Sequence, residues 1–373
     1  MSNIIDYAES ELNTFQKKAF NPIDSLVLAQ FSYIHFDNIM KVLQKEKNDV
    51  MIKDLFKAEY FDKMLLEVRD NVSNQKLLMA LAASPRFRDI KISDYINKVD
   101  SQLEKQFSAT TFYIDADTAY VAFRGTDSTI VGWKEDFNMS FEMPVPSQVE
   151  AVEYLNAVGK DFNGKIIVGG HSKGGNLAVY ATMYCQDFIN KQIIQVYCHD
   201  GPGFQEEVFQ SIAYQNIVER LHKTLPQSST VGMLLEYQDN YSVVKSNEFW
   251  FMQHDPFSWQ VAKDDFIYEE HITQTAKYTN TTINQWLQSA TPKERELFID
   301  TLYSVINKTN ITRVDQFKDN IIQDSKTIIN ALNDVDDQTK RFVYQTLKEL
   351  VSLSFKNLIP PKKINNKLKN GRK

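Results

Sequence analysis

Cysteine is nearly missing from this sequence: Cys185 and Cys198 are the only two in 373 residues. Two thiols cannot build a disulfide framework or a four-cysteine zinc site. Long apolar runs are missing as well, since no stretch approaches the roughly 18–20 uninterrupted apolar residues of a membrane-spanning helix. An excess of positive charge is absent too. The chain carries 42 basic and 48 acidic side chains, a formal charge of -6, so no global basic field captures nucleic acid. The opening MSNIIDYAESELNTFQ lacks the basic stretch and apolar core of a secretion signal. A cytoplasmic protein with reduced thiols is expected. What remains is an ordinary globular composition, 43% hydrophobic and 24% charged, able to bury a sizeable core.

The pattern along the chain divides it into three parts. The first ~95 residues read as mostly helical: NPIDSLVLAQFSYIHF has a polar start at Asn21–Asp24, and NQKLLMALAASP runs into Pro85. The middle alternates strands and helices, as βαβ units do. QFSATTFYI and TAYVAFRG flank a turn at Asp115-Ala116-Asp117, and VEAVEYLNAVGKDF shows helical spacing at Val149, Val152, Leu155, Val158 and Phe162. KIIVGG, IIQVYCHD, TVGMLLEYQ and EFWFMQH read as further strands. From about residue 275 the pattern is helical, with a capping box at Thr291-Pro292-Lys293-Glu294, an amphipathic RFVYQTLKELVSLSF and a basic tail after Pro361. The expected organisation is a catalytic domain over 1–275 and a helical region over 276–373.

Gly170-His171-Ser172-Lys173-Gly174 is a G-x-S-x-G pentapeptide. Its context makes it informative, because a β-run precedes it and a helical run follows. Such a sharp turn holds a serine hydroxyl above the carboxyl edge of a sheet and aims the next amide, that of Lys173, at the same space. A serine hydroxyl needs a base. Of the histidines that follow it, His199, His222, His254 and His271, only His254 stands where the chain is expected to leave the sheet at that edge. Two carboxylates could orient the imidazole: Asp239, after the strand expected to precede the histidine, and Asp200, in Asp200-Gly201-Pro202-Gly203-Phe204. The second oxyanion donor is expected from the loop after TAYVAF, at the N–H of Thr126 with its hydroxyl beside it. A buried Arg124 would need an acid, for which Asp136 is the candidate.

These blocks, FRGTDSTIVGWKEDF, GGHSKGGNLAVYAT, HDGPGF and QHDPFSWQV, resemble the class 3 (fungal-type) lipases and, more closely, a bacterial family of lipase-like α/β-hydrolases over roughly residues 20–265. The resemblance implies Ser172 as nucleophile, His254 as base, and the amides of Thr126 and Lys173 as oxyanion donors. Two departures stand out. Lys173 replaces the leucine common in class 3 lipases, which sets a charge beside the nucleophile, and HDGPGF keeps Asp200 in contention as the acid. The expected fold is α/β, an α/β-hydrolase-like, mostly parallel central sheet with flanking helices and a C-terminal helical appendage. The expected activity is hydrolysis of a carboxylic ester, a lipid or lysolipid among the candidates, with no metal or organic cofactor. The alternative is an inactive scaffold that binds a partner protein or an anionic membrane, the basic tail supporting at most a weak peripheral contact.

Overall fold

The computed structural model describes residues 2–47, 49–127 and 130–307. At its centre lies a sheet of nine strands. In chain order the strands are β1 (Val50–Met51), β2 (Lys91–Asp100), β3 (Lys105–Tyr113), β4 (Thr118–Phe123), β5 (Lys165–His171), β6 (Ile193–His199), β7 (Leu221–Pro226) and β8 (Ser242–Val244). A small hairpin of β9 (Val261–Ala262) and β10 (Asp265–Phe266) follows, then β11 (Tyr268–Glu269). The sheet order is β1-β2-β3-β4-β5-β6-β7-β8-β11.

The four pairings from β4 to β8 are parallel, and the four on the flanks are antiparallel. The fold is therefore mixed α/β, with a parallel centre, and half of its pairings depart from the mostly parallel sheet expected. The reason is local: β2, β3 and β4 are joined by short turns, which permit only antiparallel neighbours, whereas parallel strands need a crossover. The turn at 115–117 forms as read, with Asp117 N–H donating to Asp115 Oδ1 (2.9 Å).

Two cores cover the two faces of the sheet. Tyr120, Ala122, Ile167 and Tyr197 pack with the helix Pro22–Phe31. The alternate residues Val121, Phe123, Ile166, Val168, Val196 and Cys198 pack with the helices Pro146–Asp161 and Lys173–Tyr184. This two-residue alternation lets both faces be apolar in β4–β6 and sends the strand ends toward one edge.

Two expected strands do not form. TVGMLLEYQ is a series of turns, and EFWFMQH contains a 3₁₀ turn, Trp250–His254. The apolar residues of the first are used elsewhere: Leu235, with Tyr237 beside it, packs against Trp286, Leu287, Phe298 and Ile299 of the helices Gln274–Ser289 and Pro292–Asn307. The strand between β6 and β8 is instead the more polar LHKTLP, whose buried Lys223 pairs with Glu236. The Thr291 capping box is present, with Thr291 N–H donating to Glu294 Oε2 (2.7 Å) and Glu294 N–H to Thr291 Oγ1 (3.3 Å). RFVYQTLKELVSLSF and the basic tail lie outside the described residues. Among the described residues no helix is long and apolar enough to cross a membrane.

One buried ion pair ties the parts of the N-terminal segment to one another. Arg86 Nη2 lies 2.5 Å from Asp24 Oδ2, both side chains fully buried. The same guanidinium donates to the carbonyls of Asn13, Lys18 and Ala19. Removing one partner of such a pair strands the other charge. Arg86→Met should cost about 3–5 kcal/mol, read as a lower midpoint in urea; a midpoint within error of wild type would contradict this account of the segment.

Candidate active site

β5 ends in His171, and the helix Lys173–Tyr184 begins two residues later, so Ser172 carries the whole reversal of the chain. To do so its backbone adopts φ 59° and ψ −135°, a region sparsely populated by residues other than glycine. The turn is held by Ser172 N–H donating to the His199 carbonyl (2.9 Å) and Gly175 N–H to the Ser172 carbonyl (2.9 Å). Gly174 presses on β4: a Cβ there would sit 2.0 Å from the Phe123 carbonyl oxygen.

His254 closes the 3₁₀ turn that follows β8. Its Nε2 is 2.9 Å from Ser172 Oγ, and its Nδ1 is 2.6 Å from Asp200 Oδ2. With Nδ1 protonated toward the carboxylate, Nε2 is left to accept from the serine. Asp200 directly follows β6 and takes a left-handed φ of 48°, a conformation aspartate tolerates better than most residues. Its other oxygen accepts from Ser229 Oγ (2.5 Å) and Gly232 N–H (3.1 Å). Asp239 lies exposed in the loop before β8. The carboxylate that reaches the imidazole is thus Asp200 and not Asp239, because the strand expected before Asp239 is absent and the acid instead follows β6.

A second histidine holds the first in place. His171 donates from Nε2 to the His254 carbonyl (2.8 Å), which leaves Nδ1 to accept from the Tyr33 hydroxyl (3.3 Å). Burial and the neighbouring His254 hold the His171 pKa well below its ordinary value, which suits this neutral tautomer. His199 is likewise buried and neutral, its pKa lowered to about 3, and bonds Thr224 and Ser25. His222 lies in β7, and His271 is exposed.

The loop after β4 comes close to the serine. A Cβ on Gly125 would meet Tyr33 Oη at 2.2 Å, the His171 carbonyl at 2.6 Å and Ser172 Cβ at 2.9 Å, so only glycine fits. The next residue, Thr126, donates its hydroxyl to Asp136 (2.6 and 2.7 Å). Asp136 therefore serves Thr126 rather than Arg124, whose buried guanidinium donates to Asn97 Oδ1 (2.9 Å) and lies 3.8 Å from Asp127. Among the described residues the amides of Thr126 and Lys173 donate to no other group. For Lys173 this follows from its place in the first helical turn.

The Lys173 side chain does not stand beside the serine as expected. It is 1% exposed and runs under the helix, where Nζ donates to Glu135 Oε2 (2.9 Å) and the Gln106 carbonyl (2.8 Å). Of the aromatic residues near His254 in the sequence, Trp259 and Phe257 belong to the core, while Phe249 is 82% exposed. Among the described residues no group of three or more His, Cys, Asp or Glu side chains is arranged to hold a metal ion.

A family model described as Mbeg1-like matches residues 81–304, more than half of the chain. The chain belongs to the Mbeg1-like family. The match takes in all four of the sequence blocks above and, unlike the resemblance read from sequence, extends into the two C-terminal helices. No curated protein matches the sequence. Among solved structures, this Mbeg1-like chain is similar to M37 lipase, at 16% identity over 56% of this chain and 68% of that one, TM-score 0.35. It is also similar to the Rhizomucor miehei lipase of a propeptide complex (18% identity, 49% and 64% covered, TM-score 0.32). A third is a mutant form of MDLA from Penicillium cyclopium (12%, 65% and 82%, TM-score 0.36). Likeness at this level fixes neither chemistry nor substrate.

Ser229, Gly232, Tyr33, Glu135 and the contact between Asp136 and Thr126 were not singled out from sequence. Gly232 had a signal: a glycine inside an apparent strand often marks close backbone approach, and here a Cβ would lie 2.4 Å from Asp200 Oδ1.

Asp136 yields a pH test. Burial, opposed by the Lys173 ammonium and the Thr126 hydroxyl, pushes its carboxyl up from 3.8 to about 6, although the side chain keeps 29% exposure. A raised folded-state pKa means that the folded chain binds the proton more tightly, so stability falls as pH rises from about 4 through about 6. Asp136→Asn removes this loss. The melting temperature of D136N minus that of wild type should therefore climb between pH 4 and pH 7; a flat or falling difference contradicts the assignment.

Proposed function

We propose that this chain is a serine hydrolase of carboxylic esters, built as an α/β-hydrolase. The observation that carries the reading is the continuous line of hydrogen bonds from Asp200 through His254 to Ser172, with Ser172 raised on a strained turn between a strand and a helix. Supporting it are two amides, of Thr126 and Lys173, that donate to no other group among the described residues and belong to segments meeting at Ser172. The second sits at the positive end of a helix.

In this reading Ser172 Oγ attacks the ester carbonyl carbon while its proton passes to His254 Nε2. Asp200 holds the Nδ1–H tautomer and stabilises the imidazolium that forms. The carbonyl oxygen takes up the negative charge between the two amides, which need no reorganisation to receive it. Collapse expels the alcohol, which receives the proton from His254, and leaves an acyl group on Ser172. A water then gives its proton to His254 and attacks the acyl carbon, and collapse breaks the bond to Ser172 Oγ, which takes that proton back from His254 as the acid is released. Because the Lys173 ammonium is engaged under the helix, it does not oppose an apolar acyl chain at the serine. An ester with an apolar acyl group, a lipid or lysolipid ester included, is the proposed substrate class.

Hydrolysis of p-nitrophenyl esters by purified variants tests the reading. Asp200→Asn should lower kcat about 10³–10⁴-fold, the scale expected when the imidazole is held in the wrong tautomer, and Ser172→Ala should abolish turnover. Asp239→Asn should stay within about twofold of wild type, as an exposed substitution away from the chemistry does. The reverse order of the two aspartate variants, or no turnover by folded wild type on any chain length, would overturn it.

A further inference from the structure

Between β3 and the first turn of the Ser172 helix lies a set of charges that the hydrolytic steps do not use. Lys173 and Glu135 are 1% and 0% exposed. Glu135 is saturated: Oε2 takes Lys173 Nζ (2.9 Å) and Gln106 N–H (3.0 Å), and Oε1 takes Ser147 N–H (2.9 Å), at the start of the next helix. The adjacent residue, Asp136, takes the Thr126 hydroxyl and lies 4.0 Å from the same Lys173 Nζ. An apolar side chain of similar length at 173 would fill this space without the cost of desolvating two charges.

We propose that Lys173 and Glu135 are positioning residues that fix the spacing of the two oxyanion amides. This inference rests on the hydrolase reading above. The amides belong to Thr126 and Lys173, on segments distant in sequence. The side chains of those two residues end on the consecutive carboxylates Asp136 and Glu135. One short helical segment, Ile130–Asn138, thus ties both residues side chain to side chain while their amides stay free for a ligand. Glu135 also anchors that segment to β3 and to the helix Pro146–Asp161, so it cannot drift with either amide. Spacing matters because an oxyanion is held only by donors within about 2.7–3.1 Å of its place in the transition state.

The test compares Lys173→Met, Glu135→Gln and the double variant K173M/E135Q, each measured for melting temperature and for kcat and KM on a p-nitrophenyl ester. Rates are expressed per active site titrated with a fluorophosphonate. The double variant strands neither member of the Lys173–Glu135 pair, so it should melt closer to wild type than either single variant does. Its kcat per site should nevertheless fall about 10–100-fold, with KM within about twofold, the loss expected when an oxyanion donor is misplaced rather than removed. A role confined to holding the fold would lower the melting temperature and the number of titratable sites but leave kcat per site unchanged, and that result overturns the proposal. If the double variant does not fold, Lys173→Arg decides: it keeps the charge but moves the donor, and a folded protein with kcat lowered at least tenfold supports the proposal, whereas wild-type kcat overturns it. A wild type that neither titrates nor turns over would sink the hydrolase reading and this inference with it. A normal wild type with an unaffected double variant sinks this inference alone.

Discussion

Three backbone segments approach one another at the carboxyl edge of the sheet more closely than any side chain would allow. The turn after β5 presses on the end of β4 at Gly174, and the loop after β4 presses on that turn at Gly125. These contacts force Ser172 into its unusual backbone conformation and keep it there, since relaxing φ would drive the helix into β4. Strain of this kind costs about 1–3 kcal/mol and persists only where the surroundings over-determine it. Here the surroundings are two apolar cores, one on each face of β4–β6, which fix the strands that bear the turn.

On that fixed edge the polar groups are arranged in two layers. Facing the cleft are the serine and the imidazole, with the buried carboxylate of Asp200 against the imidazole's far side. Behind them, hydrogen-bonded groups hold the first layer: His171 and Tyr33 behind His254, Ser229 and Gly232 behind Asp200, Glu135 and Asp136 behind the oxyanion loop. A half-satisfied network would be worse than an apolar core, and each of these groups finds its partner from a different part of the chain.

That division explains what could be read in the sequence. The turn at Ser172 was legible because its signal is local: an apolar run, a glycine-flanked serine and a helical run. His254 was legible by position, although the segment before it is a 3₁₀ turn rather than a strand. The acid could not be settled, because the choice between Asp200 and Asp239 depends on which segment pairs with β6. LHKTLP looks polar yet forms β7, its buried lysine neutralised by Glu236; TVGMLLEYQ looks like a strand yet packs its apolar residues against the C-terminal helices. The antiparallel flank was half legible: β3 and β4 were read with their turn, while β2, with much of its length partly exposed, carries little alternation to reveal it. The Lys173 side chain misled because a cation next to the serine in sequence turns out to run beneath the helix.

The central claim is that Ser172 Oγ is a nucleophile activated by His254. It is tested most directly by treating the folded chain with a fluorophosphonate at neutral pH and locating the adduct by peptide mass spectrometry. The account predicts one phosphonyl group per chain, on Ser172, and labelling that slows sharply in His254→Ala. An unlabelled folded chain, or an adduct elsewhere with Ser172 untouched, would contradict it.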